Sequence, residues 1–183
     1  MELSLTAVAI LFLVALTFLI LLMKYFDGPL TTLTHSMKGQ TILITGGDSH
    51  IGWEVVKDLI AQGARVIMAC RNDTKANSLV GSFKDEDQKK RAIPMKLDLT
   101  NFNSIKKFVA EVKNTVGKID ILINNAGTCF QNVELIDGLD NTFYTNYAGH
   151  LILTALLLED FNPKGRIVNV TTTKYRRISK FKN

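Results

Sequence analysis

The sequence predicts an α/β fold, a doubly wound parallel sheet of five strands, preceded by one membrane-spanning helix. Three observations predict it. Short runs that are apolar on both faces alternate with stretches of helical period, as strands covered by helices on both sides require. Residues 40–52, Gln-Thr-Ile-Leu-Ile-Thr-Gly-Gly-Asp-Ser-His-Ile-Gly, pass from strand through a tight turn into a helix. Residues 3–23 carry no charge, and at about 1.5 Å per residue a helix of that length crosses a hydrocarbon core of roughly 30 Å.

Taken in order, residues 1–24 are expected to form a membrane anchor. A cleaved signal peptide would want a basic start, a shorter apolar core and a small-x-small cleavage site. Here Glu2 precedes the run and Leu21-Leu22-Met23 ends it. Lys24 and Lys38 follow the span, so the positive-inside rule puts the rest in the cytoplasm. The sequons at Asn72 and Asn169 should then stay unglycosylated. Residues 25–38, with Gly28-Pro29, read as a linker; 39–172 form the folded domain and 173–183 a basic tail.

Within the domain the first strand covers 41–44, and the helix after it starts at Ile51 with Ile51, Val55 and Leu59 on one apolar face and Gly63 at its end. A second strand is expected at 65–69, a polar helix at 73–83, a charged loop at 84–91 and a third strand at 92–97. Thr100 or Asn101 can cap the next helix, whose apolar face is Phe102, Ile105, Val109, Val112 and Val116 and whose end is Gly117. A fourth strand covers 119–123. A long helix follows over 139–161, stopped by Pro163 and Gly165; its segment 151–158 is apolar all round except for Thr154, which demands burial on more than one side. The fifth strand is 166–170.

Composition narrows the functional classes. With 46% hydrophobic residues in 183, the chain suits one domain plus the anchor. The net charge is +5, and Lys174, Arg176, Arg177, Lys180 and Lys182 supply five positive charges near the end. The remainder is close to neutral and has no basic stripe interleaved with aromatics, which argues against nucleic acid as a partner. Cys70 and Cys129 are the two cysteines, with no C-x-x-C and no histidine cluster, so neither a disulfide framework nor a metal site is expected.

The glycine turn has chemistry of its own. It leaves the first N–H groups of the helix unpaired and aimed at one point, where the helix dipole favours an anion such as a pyrophosphate. The spacing of Gly46 and Gly52 therefore reads as dinucleotide-binding, with an ordinary βα turn as the other reading. At the end of the second strand, Ala69-Cys70-Arg71-Asn72 offers no acid for a ribose 2′-hydroxyl. Arg71 suits a 2′-phosphate, or is a surface residue. Asn124 and Asn125 end a buried strand, where their amides can satisfy backbone groups or meet a cofactor. Cys70 reads as a small buried residue.

Several motifs then fall in one order. They are Thr45-Gly46-x-x-x-His50-Ile51-Gly52, Asp98-Leu99, Asn124-Asn125-Ala126-Gly127, Asn146-Tyr147-Ala148-Gly149-His150 and Arg166-Ile167-Val168-Asn169-Val170. Over about 38–172 the chain resembles the short-chain dehydrogenase/reductase family, and within it the membrane-anchored retinol dehydrogenase group. The resemblance implies a Rossmann-type fold, NADP as cofactor and an endoplasmic reticulum membrane location. It also implies a lipophilic alcohol, aldehyde or ketone as substrate. By the same resemblance Thr45, Gly46, His50, Ile51, Gly52, Arg71, Asp98, Leu99, Asn125, Ala126 and Gly127 bind cofactor. Asp98 would accept from the adenine amino group, although a helix N-terminal carboxylate is equally good chemistry for it. Asn146 would help hold a proton-relay water, and Thr172 could supply the substrate-orienting hydroxyl.

Two departures from the pattern stand out. His50 replaces a glycine, and its β-carbon and ring are expected to crowd the phosphate, although a protonated ring could also meet it. No Tyr-x-x-x-Lys follows the fifth strand; Tyr175 is followed at that spacing by Ser179. The expectation is an N-terminal part of an enzyme, not competent for turnover as written, with Ile167, Val168 and Val170 on an exposed apolar edge. The rival reading is a non-catalytic, membrane-anchored protein that keeps the nucleotide fold for binding or for forming a homo- or heterodimer.

Overall fold

The computed structural model describes residues 5–26, 36–129, 134–136 and 138–172. The basic tail with Tyr175, and most of the linker, lie outside the described residues. The chain divides into two units, one up to His35 and one from Ser36.

In the first unit, α1 (Leu5–Phe26) is long and apolar enough to cross a membrane, and none of its most apolar window is buried in protein. Its mid-span hydroxyl, Thr17, bonds back to the carbonyls of Leu13 and Val14, each at 2.9 Å. The hydroxyl is thereby satisfied within the helix itself, as a membrane-spanning helix would require.

The second unit is built on a five-stranded parallel sheet. Its strands are β1 (Thr41–Thr45), β2 (Arg65–Cys70), β3 (Ala92–Lys96), β4 (Ile119–Asn124) and, as the fifth, β7 (Phe161–Asn169). They lie in the order β3-β2-β1-β4-β7. Apolarity on both faces has a direct cause: Leu43 enters one core with Ile105, Phe108 and Leu153, while its neighbours Ile42 and Ile44 enter the other with Val56 and Ile60. The helices α2 (His50–Ala61), α3 (Asp73–Gly81) and α5 (Phe102–Thr115) connect the strands. Ser49, Asn72 and Asn101 cap them by accepting the N–H of Gly52, Lys75 and Ser104, each at 3.0 Å.

Four expectations needed correction. On α2 the buried residues are Gly52, Val56 and Ile60, one step from the expected stripe, and Ile51 is exposed. Gly52 packs so closely on the turn that it sets the inward face. The charged loop at 84–91 contains a helix, α4 (Glu86–Arg91). Asp85 caps it, Glu86–Lys89 and Asp87–Arg91 pair along it, and Arg91 Nη1 donates to the carbonyls of Ile60 and Ala64. A helix held by ion pairs and its end contacts shows no apolar period. Phe102 is half exposed under the Lys106 ammonium, and Phe108 fills the core in its place.

The fourth correction concerns 139–161, which is several elements. A hairpin of β5 (Leu135–Ile136) and β6 (Leu139–Asp140) leads into α6 (Asn141–Phe143), which Asp140 caps. A π-helical turn, Tyr144–Ala148, then precedes α7 (Gly149–Leu157), and a 3-10 turn ends at Asp160. β7 starts at Phe161, so Pro163 and Gly165 lie inside an edge strand whose register with β4 shifts between Ile119 and Ile121. A proline without an N–H is tolerated at such an edge. On α7, Leu153 and Leu157 are fully buried while Leu151 and Leu156 are exposed, so burial on this helix is one-sided.

Candidate dinucleotide site and adjoining groove

The turn after β1 is shaped by two glycines. Gly46 has φ +66°, and a β-carbon on it would lie 3.0 Å from Ala126 Cα, so the loop after β4 rests directly on it. A β-carbon on Gly52 would run into the Gly46 carbonyl oxygen. His50 is the first residue of α2 and is exposed, so its backbone is helical and needs no positive φ. Neither His50 nor Ile51 lines the cleft that opens above the turn. This cleft, of about 370 Å³, runs across the carboxyl ends of β1 to β4 and is lined by Thr45, Gly46, Asp48, Ser49, Arg71, Asn72, Lys75, Asp98, Leu99, Ala126 and Gly127, among others.

Thr45 ties the loops together. Its hydroxyl oxygen accepts the N–H of Asn125 and of Ala126, both at 2.9 Å, and lies 2.8 Å from His150 Nε2. With two N–H groups already on the oxygen, the hydroxyl proton has two acceptors, His150 Nε2 and the more distant Ile123 carbonyl at 3.4 Å; directed to Nε2, it goes with the neutral tautomer that carries its proton on Nδ1, facing the Asn146 carbonyl at 3.4 Å. Burial of the ring pushes its pKa below the ordinary histidine value, in keeping with that neutral form. Asn146 closes the ring: Oδ1 accepts the Thr128 N–H and Nδ2 donates to the Thr128 carbonyl, both at 2.8 Å. Loop 125–128 is thus held by Thr45 on one side and Asn146 on the other, with His150 joining the two.

The asparagine pair divides its labour. Asn125 Nδ2 donates to the carbonyls of Thr45 at 3.0 Å and Gly46 at 3.3 Å, which is the backbone role expected of both residues. Asn124 donates instead to side chains, Asn169 Oδ1 at 2.8 Å and Thr154 Oγ1 at 3.3 Å, and so pins β7 to β4. Asp98 orders the loop after β3 by accepting the N–H and hydroxyl of Thr100 at 2.9 and 2.7 Å. Leu99 is buried, and its carbonyl would meet any β-carbon on Gly149, so α7 docks there only with glycine.

Arg71 stands at the edge of the cleft, exposed, beside Asn72 and Lys75. Lys75 is paired with Asp48 at 3.8 Å. Sequence reasoning missed both; the signal for Lys75 was its place one helical turn after Arg71. Cys70 is buried, and burial followed by the nearby Asp48 charge pushes its thiol up to about 12, a structural residue.

A second groove, of about 520 Å³, adjoins the cleft and is lined by Asn124, Asn146, Tyr147, His150, Leu151, Thr154, Ile167, Asn169 and Thr171. Of the neighbours Thr171 and Thr172, only Thr171 is among the lining residues.

A parallel sheet that opens at its crossover point, between β1 and β4, onto a glycine turn and a helix N-terminus is a nucleotide-binding Rossmann domain. The family model described as short chain dehydrogenase matches residues 40–178, and the chain belongs to that family, the short-chain dehydrogenases/reductases, in its retinol dehydrogenase-like group. It is 34% identical over 152 residues to mouse retinol dehydrogenase 12, covering 81% of this chain and 48% of that protein. With human retinol dehydrogenase 13 the figures are 30% over 156 residues, 84% and 47%. The chain thus spans about half the length of these curated relatives. Among solved structures it superposes on an uncharacterized protein from Mycobacterium Paratuberculosis with TM-score 0.67 at 31% identity, over 77% of this chain and 49% of that one. A metagenomic blue fluorescent protein in complex with NADPH shares the fold at TM-score 0.67 and 23% identity, over 80% and 60%.

Proposed function

We propose that the chain is the cofactor-binding part of an NADP(H)-preferring, retinol dehydrogenase-like oxidoreductase that interconverts an alcohol and a carbonyl on a lipophilic substrate. It is held at the endoplasmic reticulum membrane by α1 with the folded domain, from about residue 39, in the cytoplasm. The observation that carries the cofactor choice is the pair of cations, Arg71 and Lys75, at the edge of the cleft past the end of β2. A guanidinium and an ammonium there favour a 2′-phosphate. The likeness to retinol dehydrogenases and the apolar α1 support the substrate class and the membrane location. In this reading Asn146 and the hydroxyl of Thr172 or of its groove-lining neighbour Thr171 serve the reacting end.

The second reading, a non-catalytic membrane-anchored binding or dimerising protein, is favoured by one feature. No Tyr-x-x-x-Lys occurs in the 183 residues, and positioned acid–base catalysis is worth typically about 10²- to 10⁴-fold. Both readings share the expectation that this chain by itself binds without turning over.

The test uses the full chain in detergent. NADPH should bind about tenfold more tightly than NADH, and Arg71→Ala should erase most of that ratio, as expected for a charge-assisted contact to phosphate. Equal affinities in the unmutated chain would make Arg71 a surface residue. NADPH oxidation with retinoid or simple carbonyl substrates should stay at background, and turnover would overturn the non-competent reading.

A further inference from the structure

Of the two carboxylates that line the cleft, Asp98 is engaged by Thr100, and Asp48 opposes the cofactor choice proposed above. The Asp48 side chain is only 18% exposed, and its Oδ2 lies 3.8 Å from Lys75 Nζ. It lines the cleft together with Arg71 and Asn72. The turn that carries it lies over the end of β2, because a β-carbon on the preceding Gly47 would sit 3.2 Å from Met68 Cβ. A dehydrogenase that reads the ribose 2′-hydroxyl does so with a carboxylate at this corner, taken from the end of the second strand. Here that strand ends without an acid, and the carboxylate comes from the glycine turn of the strand beside it.

We propose that Asp48 is a specificity-determining residue that works against Arg71 and Lys75. Its charge engages Lys75 and stands in the corner where a 2′-phosphate would be placed, which narrows the preference for NADP(H) over NAD(H). The corner carries two positive charges and one negative. A ribose 2′-hydroxyl can donate to the carboxylate, whereas a 2′-phosphate meets its repulsion and must draw Lys75 away from it. The inference rests on the dinucleotide-binding reading and refines its cofactor choice. Removing one unit charge about 5 Å from a phosphate at a largely solvated site changes affinity by about three- to tenfold.

Adenosine 2′,5′-bisphosphate isolates the corner from the pyrophosphate turn and from His50, so it is the first probe, with 5′-AMP as its control. Both are titrated calorimetrically into the full chain in detergent, followed by NADPH and NADH. Asp48→Asn and Asp48→Ser should each tighten the bisphosphate about three- to tenfold while leaving 5′-AMP unchanged or weaker. The gain should fade at 1 M salt, where the screening length is about 3 Å; a structural role for Asp48 would not show that salt dependence. Lys75→Met should weaken the bisphosphate. A bisphosphate to 5′-AMP ratio unmoved in both Asp48 variants overturns the proposal even if the parent chain prefers NADPH. If the parent shows no NADPH preference and Asp48→Asn creates one, the role of Asp48 is upheld and the NADP preference of the chain is refuted. Failure of the parent and the variants to bind any of the four nucleotides overturns both.

Discussion

β1 and β7 belong to one sheet and each carries β-branched apolar residues, yet these end in opposite states. Ile42, Leu43 and Ile44 are fully buried, while Ile167 and Val168 are 42% and 44% exposed. β1 has a strand on each side and a helical layer on each face; among the described residues β7 pairs only with β4. The contrast continues to the carboxyl ends. Above β1 the Thr45 hydroxyl, two loop N–H groups, His150 and Asn146 close a ring of hydrogen bonds. Beside β7 the second groove is walled by half-exposed Leu151 and Ile167. The cleft above β1 is thus closed by hydrogen bonds between neighbouring loops, whereas the groove beside β7 is walled by half-exposed apolar side chains.

The largest effect should separate the two strands by packing. Leu43→Ala should destabilise the domain by about 2–5 kcal/mol, the cost of a methyl-lined cavity in a core that cannot collapse. Val168→Ala should cost less than about 1 kcal/mol, because nearly half of the side chain already meets water. Urea unfolding of the full chain in detergent measures both, and equal costs would erase the distinction between centre and edge.

A middle-sized effect should come from the ring. Thr45→Val keeps the shape but leaves the N–H groups of Asn125 and Ala126 without their acceptor, at about 1–3 kcal/mol. Thr45→Ser should recover most of it. Faster amide exchange over 125–128 in the valine variant, absent in the serine one, would show that the hydroxyl holds the loop; unchanged exchange would remove the ring from the account.

The smallest effect sharpens the same point through pH. The folded-state pKa of His150 lies below its ordinary 6.5, so the unfolded chain binds the proton more readily. The stability that neutral His150 contributes is complete above pH 6.5 and declines as the pH falls below it, toward the lowered pKa. His150→Gln should flatten the unfolding midpoint over that window. A midpoint that rises on acidification in the parent chain and not in the variant would reverse the sign assigned here.

Much of this architecture was legible because strand and helix periods are local. The five strands, the glycine turn and the cap at Asn101 follow from residues a few positions apart. What was misread left no apolar period, or depended on a partner far along the chain. α4 shows no apolar stripe because it is held by its own ion pairs and by Arg91 on the end of α2. The single long helix expected at 139–161 is divided by a π-helical turn that brings Asn146 to Thr128. Asp48 and Lys75 are 27 residues apart and meet only because β1 and β2 are neighbours.

By itself the sequence determined the parallel sheet covered on both faces, the family and the lack of an acid at the end of β2, since these depend on period, spacing and residue type. Only the tertiary structure decided which apolar strand is core and which is edge, which asparagine serves the backbone, and which acid pairs with Lys75 in the cleft that Arg71 lines. Each of those depends on the neighbours that chain crossovers bring within a few ångströms, and a crossover joins residues whose separation along the chain carries no periodic signal.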